Sequence, residues 1–333
     1  MNRDHHDGHD EGRHVTRREA LAAAGAAAAA ALLASCGKDA AGADPTTSPA
    51  TGADDGGATA RPARMPVEYL PHGGGPWPFI DMKLGDPAEL DRLAAYLRGL
   101  PEALPAPATA LLVISAHWEE PAPTVMTAPH PPLLYDYYGF PEQAYRVTWP
   151  APGAPALADR VRGLLADAGF APGADPTRGF DHGTFVPLKL AYPAADVPTA
   201  QLSLVRGLDP ATHLALGRAL RPLRDEGVFI LGSGMSYHNM AGFRAAMSGA
   251  GVPAGGLGAD FDAWLAETVA LPAAERDARL ARWSAAPGAR ASHPREEHLI
   301  PLLVIAGAAG ADRGTAPYRD TVMGARVSAA RFG

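Results

Sequence analysis

Apolar and polar positions follow two rhythms along the chain. Unbroken apolar runs at 66–70, 109–115, 123–127, 198–205, 227–232 and 318–328 have the length of buried β-strands. Between them, apolar positions recur at helical spacing over 87–98, 155–168, 210–224, 259–270 and 295–306. Strands alternating with helices predict an α/β fold. The expected form is a single three-layer αβα domain with a central mixed, mainly parallel sheet flanked by helices. No composition break, repeat or linker interrupts residues 64–333, so one domain is expected there. In such a sheet, ligands gather beyond the strand ends, where loops meet.

The first 63 residues follow neither rhythm. Residues 16–36 read TRREALAAAGAAAAAALLASC, with Arg17 and Arg18 paired ahead of Leu21. The weakly apolar run behind them is about fifteen residues, short of the roughly twenty that span a bilayer. Leu33, Ala34, Ser35 and Cys36 look like a lipobox, and Cys36 is the only cysteine of the chain. The expectation is a twin-arginine lipoprotein signal peptide over 1–35, lipidation at Cys36 and a flexible tether to residue 63. The protein would then be exported folded and held on the cell membrane by its lipid alone, facing outside the cytoplasm. The histidines of HHDGH, near the N-terminus, precede the cleavage point and form no site in the mature chain.

Composition narrows the chemistry. Hydrophobic residues make up 47% of the chain and charged residues 20%, as in a globular protein with a real core. The net charge of −7 gives no reason to expect nucleic acid binding. A single cysteine rules out an intrachain disulfide and a thiolate zinc cluster. Any metal must therefore be held by His, Asp or Glu.

The histidines supply the pattern. His72, in YLPHGGGPWP, follows one predicted strand; His117 ends LLVISAH; His238, in FILGSGMSYHNM, lies just beyond a third. His182, in RGFDHGTFVPL, is read as part of a glycine-flanked loop. Histidines delivered to several strand ends are read as converging on one metal ion. Neutral imidazole suits zinc and ferrous iron, and three such ligands leave positions open for substrate. His130 and His213 read as surface or packing residues. His293 and His298, in SHPREEHLIPLL, are placed at the opening of a helix, with Pro294 in its first turn. Five positions apart on a helix they point about 140° from each other, so at most one of them would reach the same pocket.

Together these segments carry a resemblance. PHGGGP, SAHWE, YDYYGFPEQAYRVTWPAPG, FDHGTFVPL, SYHNM and HPREEHLIPLL resemble, in order, the class III extradiol ring-cleavage dioxygenases of the DOPA-dioxygenase type, within the LigB superfamily. The likeness extends over essentially all of 65–333. It implies metal binding by His72, His117 and His238, with His182 as the acid–base residue close to the metal, itself a ligand in some relatives. It implies Fe(II) or Zn(II) as cofactor, with a small catechol-type aromatic and O2 as reactants. Many class III enzymes complete the metal site with a glutamate. Here the matching segment offers His238, while Glu119 and Glu120 belong to another motif, leaving the full divalent charge on the ion. Tyr135, Tyr137, Tyr138 and Phe140 are candidates for an aromatic wall. The competing function is a zinc-dependent hydrolase using the same histidines, with His182 as general base. A non-catalytic metal-binding lipoprotein is a third, but pure binding has no use for the spare acid–base residue.

Overall fold

The computed structural model describes residues 63–81, 85–249 and 251–333, all within one compact unit. The twin-arginine pair, Cys36 and the tether lie outside the described residues. The strands are β1 (Val67–Pro71), β2 (Ala110–Glu120), β3 (Thr124–Met126), β4 (Gly173–Asp175), β5 (Thr199–Val205), β6 (Val228–Gly234), β7 (Gly314–Thr315), β8 (Arg319–Val322), β9 (Ala325–Ser328) and β10 (Ala330–Phe332). The helices are α1 (Pro87–Arg98), α2 (Pro155–Asp167), α3 (His182–Ala191), α4 (Pro210–Leu220), α5 (Met240–Met247), α6 (Ala259–Val269), α7 (Ala273–Leu280), α8 (Ala289–Ser292) and α9 (Ile300–Ala309).

Eight strands form one sheet in the order β4-β3-β5-β2-β6-β1-β10-β7. The central β5, β2, β6 and β1 run parallel. β3 joins β5 antiparallel, and β10 and β7 close the other edge antiparallel. The sheet is thus mixed and mainly parallel, as the alternating pattern predicts. Both faces are covered. Along β2, Leu112 and Ile114 enter one core cluster with side chains of α2, α4, α6 and α9. The alternating Leu111 and Val113 enter the other, with side chains of α1 and α3.

Three segments depart from the sequence pattern. The run at 318–328 is not one strand but a two-stranded hairpin of β8 and β9 apart from the main sheet. Met323 and Gly324 both have positive φ, the geometry of a tight two-residue hairpin turn. The helix expected from residue 295 begins only at Ile300, behind a turn in which the Leu299 and Ile300 amides donate to the Glu296 carbonyl. The third departure is α3, where a loop was expected. Nine of its ten residues are buried, so no polar face marks a helical period. Pro187 lies inside it and cannot donate to the Gly183 carbonyl. That carbonyl accepts instead from the Ser233 hydroxyl at the end of β6.

Candidate metal centre

The parallel strands β1, β2 and β6 end on the same side of the sheet, and their C-terminal ends supply the histidines. His72 directly follows β1, and His238 lies four residues past β6. His117 is still within β2, where the pairing with β5 slips between Ile114 and Glu119. A bulge of this kind re-aims side chains out of the ladder. His182 opens α3 as its first residue, with Asp181 as N-cap. It reaches the site from a helix terminus, not from a loop over it.

Five imidazoles meet at this point. The His72 and His117 Nε2 atoms are 3.3 Å apart. The His182 ring lies 3.9 Å from that of His117 and 5.3 Å from that of His72, centre to centre. His298 lies 4.8 Å from His117 and 5.2 Å from His72, and its other side is stacked on His238 at 3.4 Å. His298 therefore sits between His238 and the His72–His117 pair. The helix geometry assumed from sequence does not apply to it, because residues 293–299 form a turn. His293 is turned away and buried, its Nε2 bonded to the Ser236 carbonyl. His213 is also structural: Nδ1 donates to the Asp209 carbonyl and Nε2 accepts from the Val205 amide. His130 is exposed.

Carboxylates fix how these rings present their nitrogens. Glu297 Oε1 lies 3.2 Å from His238 Nδ1 and 2.9 Å from His298 Nδ1. Both rings then donate from Nδ1 and offer Nε2 as a lone pair, the arrangement that orients metal-ligating histidines. Burial acts to raise the Glu297 carboxyl, but the bonds from His238 and His298 outweigh it and hold the group well below its ordinary range. Asp136 does the same for His182, accepting from its backbone amide at 2.9 Å and from Nδ1 at 2.8 Å. Burial opposes ionisation of Asp136 too, and the bond to His182 again prevails and lowers its pKa. Neither carboxylate was singled out from sequence. Asp136 lies inside the YDYYGF segment, where the aromatic residues drew attention. Glu297 lies beside a histidine assigned to a helix. Glu119 is engaged elsewhere, in a two-oxygen ion pair with Arg295, and Glu120 accepts from Trp118.

A third carboxylate, fully buried, braces the site from below. Asp181 accepts from the Ser115 hydroxyl at 2.7 Å, the Arg178 guanidinium at 2.8 Å and the Gln201 amide, and caps the Thr184 amide. Arg178 also reaches the His117 carbonyl at 3.3 Å, tying the bulge of β2 to the start of α3. Gly183 lets these elements close up, since a Cβ there would stand 2.9 Å from the His117 ring and 2.8 Å from the Ser115 hydroxyl.

The donor set fits a divalent transition metal. Two imidazole nitrogens on one tetrahedral ion, each at about 2.1 Å, stand roughly 3.4 Å apart, close to the spacing of His72 and His117. His298 Nε2 is buried with no hydrogen-bond partner. The ligand atoms of His72, His117 and His182 lie within 4.8 Å of one another, and so do those of His238, Glu297 and His298. Of the expected aromatic wall, only part is present. The Tyr137 ring lies 5.9 Å from that of His182, with its hydroxyl bonded to the Ala144 carbonyl. Phe140 packs edge-on against Tyr137, whereas Tyr138 is 91% exposed and faces solvent.

Burial first, and then the neighbouring histidines, hold His72 and His117 well below the ordinary imidazole pKa. Burial brings His298 down to about 3, against the pull of Glu297. These rings are neutral at pH 7, as metal ligation requires. The metal-free protein carries a penalty for this. As pH falls through 6.5 the unfolded chain takes up protons at these positions and the folded chain does not. Stability present above that pH is then lost, at up to about 1.4 kcal/mol per histidine per pH unit. Metal-free protein is expected to melt progressively lower from pH 7 to pH 5. A thermal midpoint constant across that window would contradict this.

Residues 93–327 match the model of the catalytic LigB subunit of aromatic ring-opening dioxygenase. The chain is 37% identical to the dioxygenase tasH of Hapsidospora irregularis over 282 residues, covering 81% of this chain and 86% of that one. It is 44% identical to a 4,5-DOPA dioxygenase extradiol of Beta vulgaris over 202 residues, 60% of this chain and 73% of that one. The enzyme of the same name from Escherichia coli K12 is 32% identical, over 78% of this chain and 92% of its own. A crystal structure of an uncharacterized protein from Escherichia coli K12 superimposes with a TM-score of 0.62 at 29% identity, covering 81% of this chain and all of that one.

Proposed function

The chain belongs to the LigB family of aromatic ring-opening dioxygenases, and we propose that it opens a catechol-type ring with O2, breaking the carbon–carbon bond beside the paired hydroxyls. Its family makes it a metal-dependent oxygenase of the extradiol kind. The observation that carries the catechol reading is His182, held by Asp136 as a base beside imidazoles free to bind a metal. His72 and His117 would hold the ion through Nε2, and the His238–His298 pair on Glu297 would supply the remaining imidazole. When bound, Fe(II) or Zn(II) supplies the Lewis acidity that brings the catechol oxygens together as anions, and Fe(II) adds the redox chemistry that engages O2.

The chain's own residues handle the protons. His182 donates from Nδ1 to Asp136, so its Nε2 is the lone pair that accepts a phenolic proton when the catechol binds. The Asp136 carboxylate stabilises the imidazolium that results. His182 returns the proton as the ring opens. Atoms and electrons balance without another reactant: O2 is the oxidant, and both of its atoms enter one ring-opened product. Tyr137 and Phe140 give the site an apolar boundary that limits water. Protein reconstituted anaerobically with Fe(II) and then given O2 should take up one O2 for each catechol consumed, and the Zn(II)-loaded protein should take up none. Hydrolysis of esters or amides with no O2 uptake would favour the zinc hydrolase instead.

A further inference from the structure

A pocket of about 240 Å³ opens beside the metal centre, and His238 belongs to both. Its wall is almost wholly apolar: Met235, Met240, Met247 and Met323 with Phe140 and Phe243. Half of the chain's eight methionines thus line one cavity. Four segments bring them together, Met235 coming from just past β6. Phe140 comes from the loop that carries Asp136, Met323 from the turn between β8 and β9, and Met240, Phe243 and Met247 from one face of α5. Met240 and Met247 are each 48% exposed, unusual for side chains of this size. The inner end carries an imidazole of the metal centre. Arg244, one turn along α5 from Met240 and exposed, is the cation of the wall.

From this geometry we infer the substrate class: a catechol whose ring carries an uncharged apolar substituent, alkyl or aryl, lodged among these methionines. The inference rests on the proposed catechol chemistry and adds what surrounds the ring. With the two hydroxyls at the histidine cluster, a substituent on the ring points past His238 into the cavity. Methionine is unbranched and polarizable, so a wall built from it adapts to apolar groups of varied shape and favours contact with aromatic ones. A zwitterionic amino-acid side chain on the ring would find Arg244 for its carboxylate but no partner for its ammonium group. An ammonium group would meet the apolar wall and the Arg244 guanidinium, and would lose its hydration without a partner.

The test has a binding arm and a turnover arm. Zinc-loaded protein is titrated with catechol, 4-propylcatechol and DOPA by calorimetry, and the same compounds are assayed for O2 uptake with iron-loaded protein. Each buried methylene is expected to tighten binding about fourfold, so propylcatechol should bind at least tenfold more tightly than catechol, with DOPA no better than catechol. The ratio of kcat/KM for propylcatechol over catechol should follow the same order. It should shrink in a Met240→Gln, Met247→Gln double variant, whose changes fall on half-exposed positions. Equal binding of catechol and propylcatechol, or a preference for DOPA, overturns the inference even if every compound is turned over. Tighter binding of propylcatechol with no O2 uptake supports the pocket assignment and contradicts the dioxygenase reading.

Discussion

His72→Ala and His117→Ala proteins are expected to purify almost free of metal, with the fold intact by circular dichroism. The two Nε2 atoms are 3.3 Å apart, and each ring sits at the end of a parallel strand whose backbone is locked into the centre of the sheet. Removing a residue that merely orients a ligand costs about 10–100-fold in metal affinity, so removing the ligand itself should cost more than roughly 100-fold. Glu297→Gln, which leaves every imidazole in place, should fall within that lower range. The same assay distinguishes His238 from His298, since the stacked pair shares one carboxylate and only the ligating member should be indispensable. His213→Ala, made in a histidine with both nitrogens bonded inside the fold, should keep its metal and lose stability only. Full metal occupancy in both His72→Ala and His117→Ala would reject the convergence of these residues on one ion.

His182→Ala is the second large effect, and it separates a proton carrier from a ligand. The ring is 3.9 Å from that of His117, near enough to ligate, yet its Nδ1 is committed to Asp136. As an acid–base group, His182 can be lost with the metal retained and a catechol still bound. Turnover should then fall by about 10²-fold or more, the lower end of what proton transfer contributes. Asp136→Asn should lower turnover by a smaller factor, because the amide frees the ring to take the wrong tautomer while the imidazole remains. Loss of metal together with activity in His182→Ala would make it a ligand. Retained metal with retained turnover would remove it from both roles.

The strand ends were legible in the sequence because apolar runs break sharply there into polar, glycine-rich segments. This held for His72 and His238, whereas His117, expected at a strand end, lies within β2, where the pairing with β5 slips. His182 was singled out as a loop residue, and it opens a helix instead. A helix buried on nearly every side, with glycine and proline inside it, leaves no period to read. One of His293 and His298 was expected to be able to reach the pocket, and His298 does, but not from a helix: Pro294 and the acidic pair after it only look like a helix start. The chain instead spends those residues on a turn that carries the ring back to the site. Gly234 makes that approach possible, since a Cβ on it would collide with the His298 carbonyl. Asp136 reaches His182, and Glu297 reaches His238, across long stretches of sequence. The Asp136–His182 bond joins positions 46 residues apart, and only the folded chain reveals it.

The central claim is ring opening by O2 at the histidine cluster, and isotope labelling tests it most directly. Iron-loaded protein is given a catechol under ¹⁸O2, and the product is trapped and weighed by mass spectrometry. The expected product is the catechol plus both atoms of one O2, with label in the new carboxylate, and none is formed by the His182→Ala protein at a comparable rate. A product that takes its new oxygen only from water, or an intact ring after O2 is consumed, would contradict the account.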